Sequence, residues 1–190
     1  MNYEETLDFI CEMGMLKRVS RSGWWVAGVP APESVAEHSF RTAVIGHVLA
    51  RLEGVDPYTV VLMTLYNDIH ESRINDLHKI GHRYIDFQAA EQRVQAEQLD
   101  GGSPIKAEIA SLLKKLIEQG SPESVVARDA DILECILQGK EYYDIGYPQT
   151  EEWFTGKRDY LHTESAQALY DRIVDYDTTR WRKNLRKFDR

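Results

Sequence analysis

Three positions place charge or an imidazole where the hydrophobic pattern buries the chain: His38, the pair Asn67-Asp68, and Asp131. His38 heads a stripe continued by Ile45, Leu49 and Leu52 at helical spacing. Asp68 follows an apolar run with no polar residue since Thr64 except Asn67, and Asp131 is flanked by Val125, Val126, Ile132, Leu133 and Ile136. An unpaired carboxylate is costly to bury, so such groups are normally paired or bound to a metal. One imidazole and two carboxylates meeting from three central helices would suit a divalent cation. Singly, each has an ordinary explanation: a buried histidine is more often a hydrogen-bonded core residue, and a helix aspartate a cap or salt-bridge partner. The order is what raises the set: a His, a polar pair ending in Asp about thirty residues on, and another Asp about sixty later.

These residues need helices to hold them, and the pattern supplies helices throughout. Leu7, Ile10, Met13 and Leu16 give one apolar face over Tyr3–Leu16. The stretch from Arg21 to Pro32, with two glycines and two prolines, reads as a loop. Ser34 with Glu37 three residues on forms a capping box for a helix to Glu53, and Phe40, Ala43, Val44 and His47 make a second stripe on it. A helix apolar on two sides is expected inside the protein. Pro57 suits the first turn of a central helix reaching about Glu71, followed by a polar segment, Ser72–Arg83. Further helices are predicted over Tyr84–Leu99, Pro104–Glu118, Pro122–Tyr143 and Leu161–Asp175, with breaks at Gly101-Gly102 and Gly120-Ser121. Strand-like alternation is absent, so the fold class is all-α, a single-domain helical bundle.

Composition narrows the function classes. The chain has 190 residues, a size that fits one domain, and its 43% hydrophobic content is enough for a core. A formal charge of −8 argues against a nucleic-acid polymer as partner, though not against a small phosphate held by a few cations. No apolar run approaches a membrane span, and the acidic MNYEETLDF start is unlike a secretory signal. Only Cys11 and Cys135 occur, so a disulfide framework is not supported and a cytoplasmic setting is expected. The basic run Arg180, Arg182, Lys183, Arg186, Lys187 and Arg190 reads as a solvated helix end.

The same residues carry a resemblance. Leu16-Lys17-Arg18-Val19, Arg21-Ser22-Gly23-Trp24, Pro32-Glu33-Ser34-Val35-Ala36-Glu37-His38, Asn67-Asp68-Ile69-His70-Glu71, Asp76 and Asp129-Ala130-Asp131-Ile132-Leu133-Glu134 follow the text of the HD-domain superfamily. The branch resembled is that of the small 5′-deoxynucleotidases, over about 16–143, with 144–190 as a C-terminal helical extension of one domain. The resemblance implies a metal-dependent phosphohydrolase that removes the 5′-phosphate of deoxynucleoside 5′-monophosphates, in the setting of nucleotide metabolism, and commonly a homodimer. It implies His38, Asp68 and Asp131 as ligands of a divalent ion (Co, Mn or Mg), with Asn67 holding the fourth position or leaving it to water.

By the same resemblance Glu71 assists the attacking water and protonates the leaving oxygen, and Asp76 is a second acid of the site. Arg21 clamps phosphate in a bidentate fork. Trp24 stands against the sugar, where it would exclude a 2′-hydroxyl, although it and Trp25 could equally anchor the loop to the core. Lys17, Arg18, His78 and Lys79 are further cations without a selecting pattern. Trp153, Phe154 and Trp181 are candidates for an interface or for capping the core. One departure is plain: the family doublet is His-Asp and this chain has Asn67-Asp68, an amide oxygen being a weak, hard ligand. Two alternatives follow, another nucleotide such as a deoxynucleoside triphosphate as substrate, and a weakened or inactive nucleotide-binding protein.

Overall fold

A computed structural model describes residues 2–183 and 185. Among them the secondary structure is helical, relieved only by one isolated bridge between Ser20 and Ser34. The helices are α1 Tyr3–Met13, α2 Gly23–Val26, α3 Val35–Glu53, α4 Pro57–Tyr66, α5 Glu71–Ile74, α6 Phe87–Gln98, α7 Pro104–Glu118, α8 Pro122–Asp144, α9 Glu151–Phe154, α10 Glu164–Ile173 and α11 Arg180–Lys183. The all-α expectation holds.

Local chemistry sets most of the boundaries. Ser34 and Glu37 close the capping box that starts α3, and Gly54, in the left-handed region at φ 73°, ends it. Asp56 accepts from the Tyr58 and Thr59 amides ahead of Pro57 at the start of α4. Asp86 accepts from the Ala89 N–H, so α6 begins at Phe87 rather than Tyr84. Thr163 likewise moves the start of α10 from Leu161 to Glu164.

The centre is built from α3, α4 and α8, which pack on one another along their lengths. Leu49, Val60, Met63, Ile109, Leu133 and Ile136 fill it. Gly46 lets α3 and α4 close up: a Cβ there would lie 3.0 Å from Val60 Cγ1 and 3.3 Å from Thr64 Cγ2. The chain beyond Tyr143 returns to the same core through Phe154, Leu161, Ala166 and Tyr170.

Three further expectations are corrected, and one helix is new. The second stripe of α3 does not lie inside: Phe40 is 70% exposed and Val44 48%. The chain's own helices cover one side of α3 and leave this face uncovered. Helix α4 stops at Tyr66, five residues early, where Asn67–His70 tighten into three-residue turns such as Glu71 N–H to Asp68 C=O at 3.0 Å. The loop from Arg21 contains the short helix α2, because Trp24 is drawn into the interior while Trp25 stays outside. Helix α9, which carries Trp153 and buried Phe154, was not anticipated. Trp181 is exposed, and Arg186, Lys187 and Arg190 lie outside the described residues.

Candidate metal and phosphate site

His38 sits in the first turns of α3, Asp68 in the turn after α4, and Asp131 midway along α8. One donor atom from each falls within 4.8 Å of the others. His38 Nε2 is 3.0 Å from Asp131 Oδ1 and 3.4 Å from Asp68 Oδ2. On its other edge His38 Nδ1 bonds Glu134, which is fully buried and itself accepts from Arg41 Nε at 2.8 Å.

That second bond decides the chemistry. With the Nδ1 proton given to Glu134, a neutral ring turns the lone pair of Nε2 toward two carboxylate oxygens. Three acceptors so placed can share a cation, either a divalent ion or, without one, the second proton of an imidazolium. Burial and the Arg21 charge push the His38 imidazole down, yet Asp131, Asp68 and Glu134 outweigh them and raise it well above the ordinary histidine value. Burial would raise Asp68, but His38 and Arg21 hold it at about 2. The donor set, one nitrogen and two carboxylates fixed by a buried outer carboxylate, fits a divalent metal. Glu33, His38 and Glu134 form a second such group, but its imidazole nitrogen is the one already bonded to Glu134.

Asp68 and Asp131 line a cavity of about 560 Å³, together with Arg21, Trp24, Glu71 and Asp76. Glu71 is buried, and its Oε2 has no hydrogen-bond partner among the described residues. Burial, followed by the charges of Asp68 and Asp76, raises its carboxyl well above the ordinary value. Although α4 ends early, the turn after it keeps Asp68 and Glu71 on the same cavity, as the expected helix would have done. Asp76 bonds the backbone N–H of Ser22 and so ties the segment after α5 to the one before α2.

Arg21 Nη1 lies 3.9 Å from Asp68 Oδ2 and 4.0 Å from Asp76 Oδ1, beyond hydrogen-bond reach of both. Its side chain makes no hydrogen bond among the described residues, so the guanidinium is held by charge with its donors uncommitted. Trp24 is 2% exposed, edge-on to Tyr142 with centroids 5.2 Å apart and tilted on Trp153 at 5.5 Å. Gly139 makes room for this stack, since a Cβ there would come within 2.9 Å of Trp153 Cβ. Trp24 is thus both a core anchor and part of the cavity wall.

Asn67 stands beside this group. Its Nδ2 donates to Asp68 Oδ1 at 2.8 Å, and its side chain lines a separate hollow of about 250 Å³ that also touches Asp131. Of the other cations named from the sequence, His78 and Lys79 line the main cavity with His82, Arg128 and Lys157, while Lys17 and Arg18 do not. His70 is buried against Glu91, 3.1 Å away. Sequence reasoning gave no role to Glu134, Arg41 or Glu33. The one available signal was the spacing of Glu134, three residues after Asp131 on the same helix.

The family profile described as an HD domain matches residues 13–169. The 5′-deoxynucleotidase HDDC2 of Dictyostelium discoideum is 30% identical over 152 residues, covering 72% of this chain and 76% of that protein. A conserved hypothetical protein from Pyrococcus furiosus superposes with a TM-score of 0.77 at 26% identity, over 90% of this chain and 99% of that one. The cyanophage S-2L HD phosphohydrolase DatZ, bound to dA and one catalytic Zn²⁺ ion, shares the fold with a TM-score of 0.55 at 18% identity, over 87% and 96% of the two chains. Profile, relative and fold agree with the converging imidazole and carboxylates, and the chain belongs to the HD-domain family, in the group that includes the small 5′-deoxynucleotidases.

Proposed function

We propose that this protein is a metal-dependent phosphomonoesterase that removes the 5′-phosphate from deoxynucleoside 5′-monophosphates. The observation that carries the reading is the trio of acceptors at His38, Asp68 and Asp131 opening on a cavity that also holds an uncommitted arginine and a protonatable buried acid. His38, Asp68 and Asp131 would hold a divalent ion. When bound, the metal polarises a phosphoryl oxygen and makes an attacking water more acidic. Arg21 takes the phosphate oxygens in its free fork. Glu71, kept neutral by burial and its acidic neighbours, holds a proton for the departing sugar oxygen. Asp76 fixes the segment at Ser22, next to Arg21, and adds to the field that keeps Glu71 protonated. Trp24, packed in its aromatic stack, walls the sugar and disfavours a 2′-hydroxyl. Asn67 occupies Asp68 Oδ1, which leaves Oδ2 for a cation, and its weak amide oxygen or a water would take the place of the doublet histidine. The outcome is a weaker site for transition metals than a His-Asp doublet gives.

The cavity volume suits a nucleotide-sized ligand. The deoxynucleotidase naming of the relatives supports the choice of substrate, and the zinc of the cyanophage protein supports a divalent ion. Lys79, Arg128 and Lys157 around the same cavity favour one second reading, a substrate with a longer phosphate chain. The uncovered face of α3, with Phe40 and Val44 exposed, supports a homodimer, and a Phe40→Glu variant that remains dimeric in light scattering would remove that support. Among the described residues no helix is long and apolar enough to cross a membrane, and Cys11 and Cys135 are unpaired. We infer a cytoplasmic setting, which the two unpaired thiols support.

The test strips the protein of metal, reloads it with Mg²⁺, Mn²⁺ or Co²⁺, and follows phosphate release from deoxy- and ribonucleoside 5′-monophosphates. Metal-dependent release that favours the deoxy form is expected. Faster hydrolysis of deoxynucleoside triphosphates would transfer the assignment to the second reading, and no release with any metal would overturn both.

A further inference from the structure

Arg21 and Trp24, the two groups assigned to the substrate, both lie on a segment with little secondary structure of its own, yet they face the cavity in a fixed geometry. Besides the Asp76 bond to Ser22 and the aromatic stack, three fixing points converge on one residue. The backbone carbonyl of Glu33 accepts from the Arg21 N–H at 3.0 Å. The Glu33 carboxylate accepts from Trp24 Nε1–H at 3.0 Å. The Glu33 N–H donates to the Tyr142 hydroxyl on α8 at 2.8 Å. Glu33 also immediately precedes Ser34, the cap of the helix that carries His38, and its carboxylate belongs to the group that approaches His38 and Glu134 within 4.8 Å. Its own side chain does not line the cavity.

We propose that Glu33 is the positioning residue of the substrate pocket, holding the phosphate-binding arginine and the sugar-facing indole at a set distance from the metal-binding histidine. It acts through those residues and does not touch substrate. The inference rests on the deoxynucleotidase reading for what Arg21 and Trp24 do, but the hydrogen bonds that carry it belong to the protein alone. An indole ring can turn or slide in a stack of aromatic neighbours. Its N–H, fastened to a carboxylate that is itself held by two backbone bonds, removes that freedom. A pocket that excludes one hydroxyl by contact needs its wall placed to a fraction of an ångström.

The decisive variant is Glu33→Asp, which keeps the carboxyl group and both backbone hydrogen bonds but withdraws the carboxyl by one methylene from Trp24 Nε1. Glu33→Gln keeps the length and offers an amide oxygen to the indole. Two readouts are taken on the metal-loaded full chain: kcat/KM for deoxy- against ribonucleoside 5′-monophosphate, and the Nε1–H resonance of Trp24 in a ¹⁵N spectrum, assigned by its loss in Trp24→Phe among the four tryptophans. Glu33→Asp is expected to shift the Trp24 indole proton and to lower the deoxy-to-ribo ratio about tenfold, mainly through KM for the ribo substrate. Glu33→Gln is expected to retain most of that ratio. A Glu33→Asp protein with an unmoved indole resonance and an unchanged ratio overturns the proposal. If the parent protein releases no phosphate, the function reading fails, and the indole shift alone still decides whether Glu33 holds Trp24.

Discussion

Two buried acids in this protein look alike in the sequence and do opposite things. At the junction of α8 and α10, Asp129 is fully buried and spends its carboxylate on the backbone N–H groups of His162 and Thr163, at 3.0 and 2.7 Å, and on the Thr163 hydroxyl at 2.7 Å. It caps the start of α10 from outside the helix. At the start of α5, Glu71 is nearly as buried, but one of its oxygens meets no donor and two further acids crowd it. Burial is common to both, so burial does not separate structure from chemistry here. The difference is whether the lone pairs are spoken for. A satisfied acid stabilises the fold, whereas an unsatisfied one beside a cavity is kept ready for something that binds.

The contrast can be broken most sharply at Glu71. Glu71→Gln should lower kcat about 10²- to 10⁴-fold while leaving the melting temperature no lower than that of the parent, and a variant within threefold of parental kcat would end the comparison. Asp129→Ala should do the reverse. It strands two amide N–H groups and a hydroxyl, which costs about 3 kcal/mol. Calorimetry should then show a melting temperature lower by about 6–12 °C, with kcat/KM per folded molecule little changed.

A smaller effect is expected next door to Asp68. Asn67→His supplies an imidazole beside the carboxylate, and titration with Mn²⁺ or Co²⁺ should show affinity higher by about tenfold. Unchanged affinity would mean that the doublet position lies out of reach of the ion. The smallest effect is in pH. Because Glu71 is raised in the folded state, native protein holds its proton at pH values where the unfolded chain, near the ordinary 4.5, has lost it. Its contribution to stability is therefore full below about 4.5 and is lost as pH climbs through the raised value. In metal-free protein the Glu71→Gln variant cannot ionise, so its melting temperature should gain on the parent as pH rises from 5. Parallel curves would show that Glu71 is not perturbed.

How much of this was legible in the sequence depended on how local the cause was. The starts of α3, α7 and α8 could be read because serine and proline caps act within a turn. The set His38, Asp68 and Asp131 could be named because each interrupts an apolar pattern. The end of α4 is not legible because Asn67 keeps helical backbone angles and only the hydrogen bonding tightens to three-residue turns after Tyr66, which no residue type in the run announces. The outward face of α3 was misjudged because periodicity reports an apolar surface and not what covers it. Glu134 and Glu33 were unassigned because a carboxylate that orients a histidine or an indole has the same letter as one on the surface. Asp129 and Asp131, two residues apart on α8, illustrate the limit: only the arrival of α10 makes the first structural, and only the cavity leaves the second available.

The missing side chain at Gly46 works as a gauge block. His38 rides on α3 and Asp68 on the end of α4, and the gap between those helices is set where Gly46 meets Val60 and Thr64. An alanine there, ordinarily a welcome exchange inside a helix, would press on Val60 and Thr64, which must give by tenths of an ångström or let the pair move apart. Selection for thermal robustness and selection for a well-spaced ion site would therefore pull this one position in different directions, although it lies two turns from the histidine and forms no part of the pocket.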